Sequence, residues 1–514
     1  MGGVTAVSRV AGFVRVLVVA AVLGTTYLGN TFQAANSTSN VLFELLAAGA
    51  LSAVLVPTFV ALIDAGDDRE AERLANGLLG YALAAMGVIT VVGIACAPLL
   101  ARLLSSGAPN ASVGADQRAL ATFLLLFFLP QLLLYALGAI ATGLLYARRR
   151  FSITAAAPIG STVVIIVCFI AFHALAGADP GFDLSTAEKL LLAVAGTGGV
   201  IAYVGILVVA ARRSGFSLRP RWDRGDPALS RLARLAVWGV LLHSGAGMLL
   251  GAAIICGNGV EGGVVAYQVA FVFFLAPYAI LAQPLHTTIL PELSRVAATG
   301  DLDAFARSTR WALDRMAWLV LPVSAMLVAV ALPVMQVVAF GGATDTGPPL
   351  LAAGLASLAL GLYPYGAFLL LARAYYALGD SRTPAVVAVG SALLGVVTMI
   401  IGSGLTHGAA LVATLGIGHS VAYLIGVIVL AIGCRRRTGR SIVPPQLPIA
   451  VVISGAVATA VWFAMRALDP TGRIETVLCL ALVGVVATGV YALAVRHWWR
   501  ASALPAGDLM AGEV

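Results

Sequence analysis

A chain of 514 residues with 60% hydrophobic and only 11% charged residues is too apolar for a soluble protein, in which about a quarter of residues are charged. Apolar runs long enough to cross a hydrocarbon core of roughly 30 Å recur between short polar loops, so the chain reads as a polytopic membrane protein and not as a string of soluble domains. The net charge of +8 comes from 31 basic residues against 23 acidic ones, and the basic ones gather at helix ends and loops; it reads as topology, with no nucleic-acid partner.

The first apolar run, near 4–27, carries Arg9 and Arg15 and lacks a polar boundary for cleavage, so it reads as a retained span. An arginine at the bilayer centre costs about 3 kcal/mol unless it faces water or a partner. Arg9 can snorkel to the inner surface; Arg15 has less room to escape and reads as facing a wet cavity. The second run, near 30–63, holds Asn30, Gln33, Ser37, Asn40 and Glu44 at steps of 3, 4, 3 and 4, which is one helix face. Asn36 lies beside that stripe, and the segment from Asn36 to Asn40 suggests a break in the helix. Two readings stand. The stripe lines a wet cavity, which makes Asn30, Gln33, Asn40 and Glu44 substrate contacts alongside Arg9 and Arg15. Or it is a polar seam between helices, with Glu44 as the counter-charge of Arg15.

Twelve more runs follow, near 78–104, 119–146, 151–175, 190–211, 232–257, 263–290, 312–340, 349–376, 384–403, 408–433, 449–467 and 477–498, about 14 in all. An even number puts both termini on one side. Placing them in the cytoplasm assigns 24 basic residues to inner loops and helix ends and five to outer segments (Arg102, Arg118, Lys189, Arg466, Arg473), a strong positive-inside bias.

The chain also repeats itself. LVPTF with Pro57 and YARRRFSITAA from Tyr146 have counterparts in ILPEL with Pro291 and YALGDSRTPAV from Tyr376, at spacings of 89 and 85 residues. That order predicts an N-lobe over 1–211, a C-lobe over 231–434, each of six helices in parallel orientation, and an appended helix pair over 449–498.

Elsewhere the intramembrane polar residues Gln131, His173, His243, Gln268, Gln283, His286, Gln336 and His419 stand singly and read as hydrogen-bonded packing residues. No HExxH, GxSxG or paired-carboxylate constellation occurs, and Lys189 sits in TAEKLLL instead of a phosphate-binding loop. No catalytic residues, metal site or cofactor are therefore expected, and the chain reads as no enzyme. The five cysteines are scattered in or beside apolar runs and read as small buried hydrophobes.

VSRVAGFVR (Val7 to Arg15), AAGALSAVLVPTF (Ala47 to Phe59), GLLYARRRF (Gly143 to Phe151), ILPELS (Ile289 to Ser294) and ARAYYALGDSRTP (Ala372 to Pro384) resemble the MurJ/MviN family of bacterial lipid II flippases, within the superfamily that also holds MATE exporters. The resemblance covers spans 1 to 12 in order. It implies an all-α integral membrane fold: 14 transmembrane helices, with two six-helix lobes around a central cavity and a groove made by two extra C-terminal helices. It also implies a diphosphate held by arginines on spans 1, 2 and 8, of which Arg9 and Arg15 match the span-1 pair. This sequence departs from the pattern elsewhere. The span-2 acid is Asn30, its paired arginines fall at Phe43 and Glu44, and the span-8 arginine falls in the apolar run from Gln268 to Val272. The Asn/Asp pair that some members use for sodium has no match between Ala388 and Met399.

The expectation is a multi-pass protein of the bacterial cytoplasmic membrane, both termini cytoplasmic, that moves a polyprenyl-diphosphate-linked peptidoglycan precursor by alternating access. Its partners are the lipid-linked anionic substrate, membrane lipids and proteins of cell-envelope synthesis. Two alternatives stand: an exporter of another lipid-linked glycan or amphiphile, and a non-transporting scaffold paralogue.

Overall fold

The computed structural model describes residues 2–45, 58–222, 227–344 and 347–501, and every regular element among them is helical. Pro57, one of the repeat landmarks, lies outside the described residues. Contacts divide the chain into two compact units, Met1–Val265 with Ala339–Gly347 and Ala266–Val338 with Pro348–Val514.

The first unit holds α1 (Gly2–Leu23), α2 (Tyr27–Phe43), α3 (Asp68–Ala95), α4 (Ala97–Leu104), α5 (Ala111–Phe128), α6 (Gln131–Ala147), α7 (Phe151–Ala176), α8 (Thr186–Arg213) and α9 (Pro227–Gly257). Short polar side chains start these helices where the sequence supplies them. Thr26 accepts from the Gly29 amide, Asn110 from Val113, and Ser185 with Glu188 forms a reciprocal capping box. Pro130 interrupts the apolar run between α5 and α6. In the core, Phe32 of α2 meets Phe128 and Phe169 edge-on, with ring centroids 6.0 and 5.3 Å apart, the arrangement that the ring quadrupole favours. The helix break suggested between Asn36 and Asn40 is not there. α2 runs unbroken through Phe43, and a π turn at 44–45 follows; within α2 the Ser39 hydroxyl donates to the Asn36 carbonyl at 3.2 Å.

The second unit is built on α10 (Gly263–Pro277), α11 (Gln283–Thr299), α12 (Leu302–Ala329), α13 (Ala331–Val338), α14 (Gly347–Ala359), α15 (Leu362–Ala377), α16 (Arg382–Leu405), α17 (Gly408–Thr438), α18 (Leu447–Leu468) and α19 (Arg473–Ala501). A π-helical turn, Tyr278–Ala282, joins α10 to α11 just after Pro277. Small residues let α17 approach its neighbours: a Cβ on Gly361 would meet Ser420, and one on Gly416 would meet Ser357. The C-terminal pair packs on α12, where Trp318 contacts Ala450 and Val495 and its carbonyl accepts from the Tyr491 hydroxyl at 2.9 Å. The other faces of α18 and α19 are apolar and open, with Val452 69%, Val485 73% and Ile474 80% exposed. Such a surface is stable only against lipid.

Among the described residues, eleven helices are long and apolar enough to span a bilayer, and up to 12 if the pair α14 and α15, bent by 43°, counts as one. The expected 14 are not reached by that measure. Among the helices outside that measure are α1, whose first residues are only partly described, and α2, which has 17 residues and a polar face. Of the cysteines, Cys168 and Cys434 are buried as expected, whereas Cys96 is exposed at the junction of α3 and α4.

The repeated landmarks take up the same backbone geometry in both units. At the end of α6 the amides of Arg149 and Arg150 bond the carbonyls of Tyr146 and Leu145. At the end of α15 those of Gly379 and Asp380 bond Tyr376 and Tyr375. Both are Schellman turns closed by one left-handed residue, Arg149 at φ 57° and Gly379 at φ 74°. Upstream, Gly66 and Gly300, each nine residues after its landmark proline, have positive φ. The aspartates that follow them, Asp67 and Asp301, cap α3 and α12.

Candidate functional site

Arg15 projects from an apolar stretch of α1 and is half-buried, while Arg9 is exposed. Six helical residues amount to about 9 Å of rise and place the two side chains roughly 120° apart around the axis. They do not share one face, so they cannot form a single fork. The residue in electrostatic contact with Arg15 is Tyr135 of α6.

Tyr135 also lies within side-chain hydrogen-bonding reach of Asn40 and Ser39 on α2. Its hydroxyl donates to Gln131 Oε1 at 3.1 Å, one turn earlier on α6. That oxygen accepts a second bond from the buried Ser39 hydroxyl at 3.0 Å. The Gln131 amide nitrogen donates to Thr197 Oγ1 on α8 at 3.0 Å, and Thr197 donates to the Phe127 carbonyl at 2.8 Å. Three helices are thus held by one fully buried glutamine with satisfied bonds, and the network fixes where the Tyr135 hydroxyl sits. Phe43 packs its ring 5.5 Å from that of Tyr135.

The polar stripe of α2 therefore has two ends with different roles. At the N-terminal end, Asn30 is fully buried and its amide is spent on backbone. Nδ2 donates to the Val260 carbonyl at 2.8 Å, and Oδ1 accepts from the amides of Val264 and Val265 at 3.0 and 3.4 Å. It clamps the turn before α10. Gln33 is buried; Asn36 sits half-buried beside Gly196, where a Cβ would lie 2.9 Å from its Oδ1. At the C-terminal end, Asn40 and Glu44 are half-buried.

No ion pair joins Glu44 to Arg15, and the guanidinium's electrostatic neighbour is a neutral phenol. Among the described residues no carboxylate pairs with the Arg15 charge, which speaks against Glu44 as its counter-charge. Gln131, read from sequence as a lone packing residue, is a network hub. Residues four apart on α6, Gln131 and Tyr135, were the available signal, because they face the same way.

The second unit has its own polar interior. Arg373, half-buried on α15, donates to Nδ1 of the fully buried His286, and the Tyr278 hydroxyl lies 3.3 Å from the same nitrogen. A guanidinium can only donate, so Nδ1 is the acceptor and the imidazole is neutral, its proton on Nε2. His419 takes a bond to the Tyr267 hydroxyl at 3.1 Å among the rings of Phe271, Phe274 and Tyr423, whose centroids lie 5.3, 5.6 and 5.0 Å away. Among the described residues, no group of three or more His, Cys, Asp or Glu side chains could hold a metal ion.

A sequence profile described as "Lipid II flippase MurJ" matches residues 19–505. A probable lipid II flippase MurJ of Rhizobium tropici is 29% identical over 388 residues, covering 75% of this chain and 71% of that protein. The lipid II flippase MurJ of Burkholderia cenocepacia is 25% identical over 513 residues, 95% of each chain. Among solved structures, a lipid II flippase MurJ in an inward closed conformation superposes with a TM-score of 0.75 at 18% identity, over 97% of this chain and 99% of that one. An inward-facing MATE transporter of the MOP superfamily follows at 0.66 and 13% identity, over 84% and 94%. At such identities the structural likeness shows the fold alone.

Proposed function

The chain belongs to the lipid II flippase MurJ family, and on that premise we propose that it moves lipid II, a polyprenyl-diphosphate-linked peptidoglycan precursor, across the bacterial cytoplasmic membrane by alternating access. The observation that carries the proposal is Arg15, a half-buried guanidinium within the apolar α1 that has no ion pair among the described residues. A diphosphate taken into a low-dielectric interior without compensation is prohibitively costly. A guanidinium offers it two parallel charge-assisted bonds, and being weakly hydrated it gives up little water to do so. The cost of burying Arg15 and the cost of moving the anion are thus offset by the same contact.

Asn40 and Tyr135 complete the site in this reading. The Asn40 amide donates to a phosphate or sugar oxygen beside Arg15, and the Tyr135 hydroxyl, held by Gln131, fixes the register. Arg9, exposed toward the start of α1, meets the anion on entry instead of forming a joint clamp with Arg15. Gln33 and Glu44 line the remainder of the α2 face. The appended helices α18 and α19, with their open apolar faces, suit the polyprenyl tail. The excess of basic residues in the inner segments supports a cytoplasmic location for both termini.

One observation favours the scaffold reading. Phe43 and Glu44 replace two arginines of the family pattern, and Phe43 is engaged in packing against Tyr135. The test is rescue of a bacterium depleted of its own lipid II flippase. The intact gene restores growth and Arg15→Gln, expressed to the same level, does not. Rescue by neither, with the protein folded in the membrane, favours the scaffold.

A further inference from the structure

Three consecutive arginines close α6, and their fates differ. Arg148 pairs with Asp68 at 2.6 Å and lies over the Phe216 ring; Arg149, left-handed at the turn, is 3.9 Å from Asp64. Arg150 makes no ion pair among the described residues. Together with Arg213, which makes none either, it lines a cleft of about 490 Å³ whose other walls include Ile153, Gly205, Ile206 and Val209. Among the described residues, no acidic side chain lines it.

The cleft has a polar end and an apolar one. Arg150 directly precedes α7 and Arg213 is the last residue of α8, followed by the Ser214 hydroxyl. These neighbouring helices pack extensively and run antiparallel, so both arginines lie at one membrane face. The start of α7 and the end of α8 bring helix dipoles of opposite sign there, which largely cancel; the positive potential belongs to the two guanidinia. Further along α8 the wall opens outward through Ile206, 38% exposed, and Val209, 50% exposed. Its floor is Gly205, where a Cβ would meet nothing within 4 Å. A basic pocket between spans, open to lipid on its apolar side, matches a phospholipid with an anionic headgroup and little else.

We propose that this cleft between α7 and α8 is a binding site for an anionic phospholipid of the leaflet it faces, its phosphate held by Arg150 and Arg213 and one acyl chain lying over Gly205, Ile206 and Val209. The volume suits a glycerophosphate group and the start of a chain, whereas a glycan-peptide headgroup is far larger. The site is therefore distinct from the Arg15 region, and the proposal does not depend on the transport reading.

The test uses the full-length protein, purified in mild detergent and exposed to equal amounts of dioleoylphosphatidylglycerol and dioleoylphosphatidylcholine, with retained lipid counted by native mass spectrometry. The expected result is one retained phosphatidylglycerol per chain in preference to phosphatidylcholine. Each arginine near a charged headgroup is worth roughly fivefold in affinity, so the double change Arg150→Gln with Arg213→Gln lowers retention about 30-fold. Gly205→Leu keeps both charges but fills the floor, and it too displaces the lipid; it also stands as the test if the double variant fails to fold. Arg149→Gln, outside the cleft, leaves retention unchanged. Equal retention of the two lipids overturns the proposal. So does undiminished retention in Gly205→Leu and the folded double variant, or full displacement by inorganic phosphate at equimolar concentration, which marks a plain anion site.

Discussion

The Tyr135 hydroxyl donates to Gln131 Oε1 at 3.1 Å, and the same oxygen accepts from Ser39, so a single glutamine side chain decides where the phenol beside Arg15 points. Two substitutions separate support from contact. Gln131→Leu removes the acceptor shared by the Ser39 and Tyr135 hydroxyls and the donor to Thr197, at about 1 kcal/mol for each bond lost, and a markedly lower melting temperature is expected. Tyr135→Phe keeps the ring that packs on Phe43 and loses only the hydroxyl. It is expected to melt within a few degrees of the parent while binding lipid II about 5- to 10-fold more weakly, the worth of one hydrogen bond. Equal effects of the two changes on melting would show that the tyrosine is structural only.

Asp380 offers a prediction in pH. It accepts from the Thr383 amide at 2.9 Å and the Thr383 hydroxyl at 2.6 Å, and it pairs with Arg437. Burial opposes its ionisation, but the Thr383 bonds and Arg437 outweigh burial and hold its pKa below the ordinary 3.8. A carboxylate with a lowered folded pKa stabilises the protein fully above its unfolded value, and that contribution is lost as pH falls through the folded one. Melting temperature is therefore expected to drop on acidification below the usual carboxylate range. In Asp380→Asn the drop attributable to this group is absent, and stability at neutral pH is lower by about 1 kcal/mol, the value of a helix-start bond. An unchanged acid limb in the variant would assign it to other carboxylates.

Topology is open to labelling. Single cysteines at Ala111, Gly181 and Thr471, all exposed, are expected to react with an impermeant thiol reagent on whole cells, and those at Ala65 and Ser441, also exposed, only after permeabilisation. The background must lack the exposed Cys96. Reversed or mixed labelling would reject cytoplasmic termini.

How far these features could be read from the sequence varies with how local they are. The turns at Tyr146 and Tyr376 were legible because a Schellman turn depends on a few consecutive residues, and the same two bonds form at Arg149 and at Gly379. The stripe on α2 was legible as a face, since helical spacing alone determines it. What lies opposite a face is not encoded in spacing. Asn30 and Asn40 look alike in the stripe, yet one is consumed by the backbone of residues 260–265 and the other reaches Tyr135. Gln131 and His286 stood as isolated polar residues for the same reason: their partners are 66 to 92 positions away for Gln131 and 87 for Arg373 on His286.

The absence of an ion pair between Arg15 and Glu44 makes Arg15 open to a clean test. Had the two been paired, removing either would have stranded the other charge at about 3–5 kcal/mol, and lost function could not have been told from lost stability. Unpaired groups instead contribute independently, with additivity expected to within roughly 0.5 kcal/mol. Arg15→Gln removes a half-buried charge whose electrostatic neighbour among the described residues is a phenol, so its melting temperature is expected to stay level or rise slightly. Its affinity for lipid II is expected to fall at least 10-fold, since a charge-assisted bond to phosphate is worth about 1.5–3 kcal/mol. Arg15→Lys keeps the charge but loses the planar fork, and it falls between the two. Glu44→Gln is expected to leave affinity unchanged or raise it, a negative charge having been taken from the same helix face. In the double variant Arg15→Gln with Glu44→Gln, the stability changes add and so do the affinity changes, so binding stays well below that of the parent. Restoration of binding by the second change would reveal a direct coupling of the two charges, and would return Glu44 to the role of counter-ion.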